Sequence, residues 1–198
     1  MNKTIALFDF DGTITIKDST KSFYRFLYRS NFTYLFNNYI LCLLHISLYK
    51  MGIINYLPLK KYRLNIHTSK FNNIEFQNLV DEFYSKYFSE LLNPKAIDRI
   101  QWHKSQGHEV WVISASYDFL LHKWSIKNGI NLITNRTTID RSKRLLVGKD
   151  VNYDAKIEYL LLHVNLKNYS EIYAYGDSDG DKAMLDIANF KYYKPFRN

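Results

Sequence analysis

Ile5-Ala6-Leu7-Phe8-Asp9-Phe10-Asp11-Gly12-Thr13 sets an apolar run directly before an acidic pair. A run of this length reads as a buried strand, with Asp9 and Asp11 just past its end. The same punctuation recurs downstream. Val110-Trp111-Val112-Ile113 is followed by Ser114 and Ser116, and Ile172-Tyr173-Ala174-Tyr175 by Asp177, Asp179 and Asp181. Helical patterns fall between and after these runs. Residues 117–128 carry Leu120, Leu121 and Trp124 on one face, with Gly129 placed to end the helix. Residues 154–163 carry Ile157, Leu160 and Leu161, and a later helix carries Ala183, Met184, Ile187 and Ala188 in register. Leu132-Ile133 and Lys191-Tyr192-Tyr193 read as short strands. Strands alternating with helices predict an α/β fold with a doubly wound parallel sheet.

The pattern changes after Thr13. Asp18 or Ser19 is placed to cap a helix containing Phe23, Phe26 and Leu27, and amphipathic segments continue as far as Leu92. Asn93-Pro94 then reads as an N-cap followed by proline in the first helical position. The expected organisation is an α/β core of residues 1–13 and 93–198, with a helical cap at 14–92 inserted after the first strand.

Composition narrows the class. A chain of 198 residues with 46% hydrophobic and 23% charged positions can bury an ordinary core. The lone Cys42 excludes an internal disulfide framework, and residues 5–8 are too short for a signal-peptide core. Cytoplasmic residence is the expectation. The net charge of +8 comes from scattered Lys and Arg without a long run, so no nucleic-acid partner is expected.

In an open parallel sheet, ligands bind beyond the carboxyl ends of the strands. Asp9, Asp11, Ser114, Asp177 and Asp181 would therefore meet at one edge. One such Asp is a turn residue; three sites, each behind an apolar strand, point to a shared function. Carboxylates crowded together repel unless a cation sits among them, and an all-oxygen set suits a hard ion such as Mg²⁺. A carboxylate there can attack phosphorus, and a second can protonate the leaving oxygen and deprotonate the attacking water.

Asp9-Phe10-Asp11-Gly12-Thr13 resembles the first motif of the haloacid dehalogenase-like superfamily. Val112-Ile113-Ser114-Ala115-Ser116 resembles the second, Lys156 the third-motif lysine, and Gly176-Asp177-Ser178-Asp179-Gly180-Asp181 the fourth. The order and spacing match, and the position of the insert is that of the cap in the phosphoserine-phosphatase-like branch, on a Rossmann-like core. The resemblance implies Asp9 as nucleophile and metal ligand, and Asp11 as general acid/base whose backbone carbonyl also reaches the metal. It implies Ser114 and the Ala115 N–H as phosphoryl ligands, and Lys156 as a counter-charge. Asp177 would ligate Mg²⁺, and Asp181 would ligate it or hold its waters. Asp179 is read as a loop or N-capping residue. An Asp at position 11 fits phosphate-ester hydrolysis better than dehalogenation. Phosphoryl transfer, as in a mutase, and phosphate or membrane binding without turnover are the alternatives.

Two features bear on the substrate. Asp18 falls where phosphoserine phosphatases place an acid that reads the substrate amine, whereas Gly180 stands where they carry Asn. The insert is apolar through Tyr39-Ile40-Leu41-Cys42-Leu43-Leu44-His45-Ile46-Ser47-Leu48-Tyr49, too short for a membrane span of ~20 residues. It reads either as a buried cap helix or as an interfacial one, drawn by basic residues to the inner face of a membrane. By composition it resembles the cap of phosphatidylglycerophosphate phosphatases. A phosphorylated small molecule or a lipid phosphate is the expected substrate. His45, His67 and His103 show no metal-ligand spacing.

Overall fold

Alternate residues of β1 (Lys3–Phe8) enter different apolar clusters: Ile5 and Leu7 one, Ala6 and Phe8 the other. A strand apolar on both faces belongs inside a sheet covered by helices on each side. In the computed structural model of the chain, which describes residues 3–30, 41, 43–140 and 143–197, β1 holds that place. The other strands are β2 (Glu109–Tyr117), β3 (Asn131–Asp140), β4 (Lys143–Val147), β5 (Tyr169–Gly176) and β6 (Phe190–Tyr193). The sheet order is β4-β3-β2-β1-β5-β6. All pairings are parallel except β3 with β4.

That hairpin departs from the sequence reading, which expects only a short strand at Leu132-Ile133. Residues 134–138 are Thr, Asn, Arg, Thr and Thr, with no apolar run to reveal a strand. Their β-branched threonines nevertheless suit a pleated edge.

Between β1 and β2 the chain is helical: α1 (Ser19–Ser30), α2 (residues 43–50), α3 (Tyr56–Thr68), α4 (Asn73–Lys86) and α5 (Pro94–Ser105). Asn72 and Glu75 cap α4 reciprocally, and Asn93 Oδ1 accepts from Lys95 N at 3.1 Å ahead of Pro94. The remaining helices are α6 (Asp118–Asn128), α7 (Asp154–Leu161) and the short α8 (Lys182–Asp186). Gly129 ends α6 at φ 57°, a left-handed conformation that costs glycine least.

Side chains of α5 and α6 join Ala6 and Phe8, while those of α7 and α8 join Ile5 and Leu7, so the sheet is doubly wound. The first cluster does not stop at the sheet. It runs through Phe10 and Ile14 to Phe23, Leu27, Leu64, Phe76 and Phe83 of the helical insert. The helices before α5 are thereby anchored by the same apolar mass as the sheet. Residues 31–40 and Cys42 lie outside the described residues, and with them Tyr39, Ile40 and Cys42 of the apolar stretch singled out in the sequence. Among the described residues, no helix is long and apolar enough to cross a membrane.

Candidate active site

Because β1 lies between β2 and β5, the loops leaving all three strands meet at one edge. Asp9 N extends the ladder by donating to Tyr175 O at 2.9 Å. A cavity of about 260 Å³ opens there, lined by Asp9, Asp11, Ser114, Ala115, Lys156 and Asp181, with residues of α1 and α3 above them. Asp177 does not line this cavity. It stands beside it, joined to Asp9 and Asp181 as one of three carboxylates with oxygens all within 4.8 Å of one another.

Lys156, on the first turn of α7, is fully buried, and Asn152 N-terminal to that turn also lines the cavity. Its ammonium donates to Asp9 Oδ1 at 2.6 Å and to Asp181 Oδ1 at 2.5 Å. Burial disfavours the charge on Lys156, but the two carboxylates outweigh it and raise the ammonium above the ordinary lysine value. Asp9 shows the opposite balance. Burial pushes it up to about 7, Lys156 pulls it down and Asp181 raises it again. Asp181 is also buried, yet Lys156 and the donors of the 177–178 loop hold it below the usual carboxylate range. Its Oδ2 accepts from Asp177 N at 3.0 Å, Ser178 N at 2.9 Å and Ser178 Oγ at 2.8 Å.

Asp181, not Asp179, is therefore the acid that organises the fourth-motif loop. Asp179 is exposed at the start of a 3₁₀ turn, so of the loop and N-capping roles expected of it the loop role holds, and the capping bond is made by Asp181 with Ser178 N.

Asp11 turns toward the start of α1, where its Oδ1 accepts from Ser19 N at 2.6 Å. Burial, then the nearby charge of Asp18, raise it to about 6. Asp18 caps α1, accepting from Lys21 N at 2.7 Å, and it also lines the cavity. Ser114 Oγ accepts from Ser116 N at 3.0 Å, so its own proton is free to turn elsewhere. Both serines lie within β2, where the sequence reading placed them just after it. The ladder to β3 breaks between Ser114 and Tyr117, and this irregularity carries them at the sheet edge.

The donor set fits a hard divalent ion: three carboxylates, two of them buried, with no His or Cys among the grouped ligands. Gly12, at φ 87°, leaves room for one of them. A Cβ there would fall 2.4 Å from Asp177 Oδ2. Asp177 also forms an ion pair with Arg197, near the end of the chain. Burial raises Asp177 and Asp181 raises it further, against the pull of Arg197.

This arrangement has relatives. The family model described as "haloacid dehalogenase-like hydrolase" matches residues 6–186. The chain belongs to that family. It is 28% identical over 196 residues to Protein CicA of Caulobacter vibrioides, covering 98% of this chain and 86% of that protein. Among solved structures, a protein of unknown function from Bordetella pertussis Tohama I superposes with a TM-score of 0.81 at 19% identity, over 95% of this chain and 88% of that one. A phospho-aspartyl intermediate analogue of phosphoserine phosphatase gives a TM-score of 0.58 at 20% identity, over 96% and 86%. At these identities the structural likeness speaks for the fold.

Asp9, Asp11, Ser114, Ala115, Lys156 and Asp181 make one half of the cavity. Its upper half was missed in the sequence: Tyr24, Tyr56, Leu59, Lys60 and Arg63. A signal existed. Tyr56, Lys60 and Arg63 recur at the helical interval that puts them on one face of α3. The histidines are packing residues: His45 stacks on Tyr62 at 3.8 Å, His67 meets Tyr28 Oη, and His103 meets Tyr175 Oη.

Proposed function

We propose that the protein is a Mg²⁺-dependent phosphomonoester hydrolase in which Asp9 attacks phosphorus and Asp11 moves the protons. The observation that carries this reading is the buried Lys156 ammonium held between Asp9 and Asp181 at the floor of a cavity that Asp11 and Ser114 also line. Asp9 Oδ1 is committed to Lys156, which orients the carboxylate and leaves its second oxygen for attack. Asp11, raised to about 6, holds a proton near neutrality at a useful fraction. It would donate that proton to the leaving oxygen as the Asp9–phosphorus bond forms and the ester bond breaks. It would then take one from the water that hydrolyses the aspartyl phosphate. Ser114 Oγ and Ala115 N–H would bind phosphoryl oxygens, with Lys156 offsetting their charge. Asp9, Asp177, Asp181 and the Asp11 carbonyl would hold Mg²⁺, which when bound neutralises phosphoryl charge and favours ionised Asp9.

In this reading residues 14–92 form a cap over a core of 1–13 and 93–198, and the cap selects the substrate. Lys21 and Arg63 bring positive charge to the upper cavity, which suits an anionic ester such as a phosphoserine-like compound or a sugar phosphate. Asp18 at the rim is a candidate contact for a substrate amine. Exposed apolar residues on α2 and the turn after it, Leu44 at 54%, Met51 at 70% and Ile53 at 61%, favour a second reading. In that reading the cap meets an anionic membrane surface, and the ester is a lipid phosphate such as phosphatidylglycerophosphate.

The test is Mg²⁺-dependent phosphate release from p-nitrophenyl phosphate, followed by a panel with phosphoserine, sugar phosphates and phosphatidylglycerophosphate. Asp9→Asn abolishes release while the circular dichroism stays that of the wild type. Borohydride reduction during turnover marks residue 9 if the ester forms there. Absence of release from every ester with Mg²⁺ present ends the hydrolase reading, and a requirement for a bisphosphate activator turns it into a mutase. Failure to sediment with anionic liposomes at low salt removes the membrane reading.

A further inference from the structure

The carbonyl of Ala115 lies where the β2–β3 ladder breaks, so strand pairing does not settle its partner. Two side chains converge on it. Lys60 Nζ, from α3, donates at 2.7 Å, and Asn135 Nδ2, from β3, donates at 2.7 Å. The same two donors meet a second time on Asp150 Oδ1, at 2.5 Å from Lys60 and 2.6 Å from Asn135. Asn135 Oδ1 in turn accepts from Val151 N at 2.9 Å, and Thr134 Oγ1 donates to Ser116 O at 2.5 Å. Lys60 is 8% exposed and Asn135 fully buried, so the ring of two donors and two acceptors is largely withdrawn from bulk solvent, at the wall of the cavity.

The peptide between Ala115 and Ser116 is planar and trans, so fixing its oxygen fixes the opposed Ser116 N–H. That N–H donates to Ser114 Oγ at 3.0 Å. A continuous chain of bonds therefore runs from a lysine of the helical insert, through one peptide plane, to the hydroxyl assigned to the phosphoryl group. Of the groups in the ring, only Lys60 comes from the insert. Were Lys60 there only to dock α3, its ion pair with Asp150 would suffice, and the bond to the Ala115 carbonyl would be superfluous.

We propose that Lys60 is a positioning residue for Ser114: seating α3 against Asp150 locks the Ala115–Ser116 peptide and thereby aims the phosphoryl-binding hydroxyl. This rests on the reading of Ser114 as a phosphoryl ligand. Cap docking and phosphate binding are then coupled through one ammonium.

The experiment compares the full chain with Lys60→Met and with the double variant Lys60→Met/Asp150→Asn. The double variant leaves no unpaired buried charge and guards against a single variant that fails to fold. Two readouts are taken, competitive inhibition by inorganic phosphate and hydrogen exchange of the 113–118 segment. Losing a buried bond to a charged donor corresponds to about a tenfold effect or more. Phosphate inhibition is expected to weaken about tenfold and exchange at Ser116 to accelerate about as much, with exchange in α7 unchanged. Exchange and inhibition both within about twofold of wild type, in a folded variant, overturn the proposal. Ser114→Ala separates the two readings. If it leaves phosphate inhibition intact while Lys60→Met still loosens Ser116, the phosphoryl assignment of Ser114 has failed and the clamp stands. If Lys60→Met weakens neither, the clamp has failed whatever Ser114 does.

Discussion

Lys156 and Asp9 stand 147 residues apart in sequence, yet their side chains share a hydrogen bond of 2.6 Å inside the protein. The side chain of Lys156 is 2% exposed and that of Asp9 9%. Removing the ammonium leaves two acidic groups facing each other without a counter-charge, a defect that costs about 3–5 kcal/mol. Lys156→Met should lower the melting temperature of the Mg²⁺-free protein by on the order of 10 °C. It should also remove phosphate release. Differential scanning calorimetry checks the first expectation. A melting point within about 2 °C of wild type would mean that the carboxylates do not depend on Lys156.

Arg197 is a tethered cation at the carboxylate a metal would need. Its side chain is 53% exposed and that of Asp177 11%, so the pair is partly solvated and weak, at most about 1 kcal/mol. A divalent ion taking Asp177 would compete with the guanidinium for its charge. Arg197→Ala should then tighten Mg²⁺ binding by up to about fivefold in isothermal titration of chelator-treated protein. Weaker binding would instead make Arg197 a support for the site.

Gly12 is a stricter constraint on the same carboxylate. Its φ of 87° strains any residue with a Cβ, and that Cβ would fall 2.4 Å from Asp177 Oδ2. Backbone strain alone costs Gly12→Ala about 1–2 kcal/mol. The contact forces Asp177 aside, so Mg²⁺ affinity should fall about tenfold or more if Asp177 is a ligand. Mg²⁺ titration followed by thermal shift reads both effects. Wild-type affinity in a destabilised variant would remove Asp177 from the ligand set.

Most of this site was legible because its groups sit at a fixed place relative to apolar strands. Asp9 and Asp11, Ser114, and Asp177 and Asp181 each follow or end a run whose burial is written in its residues. The organisation of the sheet around β1 follows from the same alternation. Two kinds of feature escaped. The β3–β4 hairpin has a polar, threonine-rich sequence whose strand character comes from pairing, so no apolar period announced it. Lys60, Asn135 and Asp150 meet only through tertiary structure, 15 to 90 residues apart. No local pattern distinguishes a lysine that snorkels from one that is buried on a carbonyl. Between the loop and N-capping roles expected of Asp179, only hydrogen bonds decide: Asp179 sits exposed in the turn, and the capping bond is made by Asp181.

His67 makes the stability of the insert depend on pH. It is 2% exposed on α3, with Nδ1 at 3.1 Å from Tyr28 Oη and its ring 4.0 Å from that of Tyr24. Burial, and then the charge of Arg63, depress it from 6.5 to about 3. Between those two values the unfolded chain binds a proton that the folded chain refuses. Stability therefore rises with pH across this window. The contribution is fully present above the unfolded value and drains away as pH falls toward about 3. One such histidine accounts for about 2 kcal/mol between pH 7.5 and pH 5. Urea unfolding at the two pH values should show a loss of stability that shrinks by about that amount in His67→Gln. That variant has no imidazole to protonate, although its packing makes it less stable at pH 7.5. His103 is depressed in the same direction and persists in the variant, so the pH dependence should be reduced, not abolished. An identical pH dependence in wild type and variant would show that His67 takes up its proton equally in the folded and the unfolded chain.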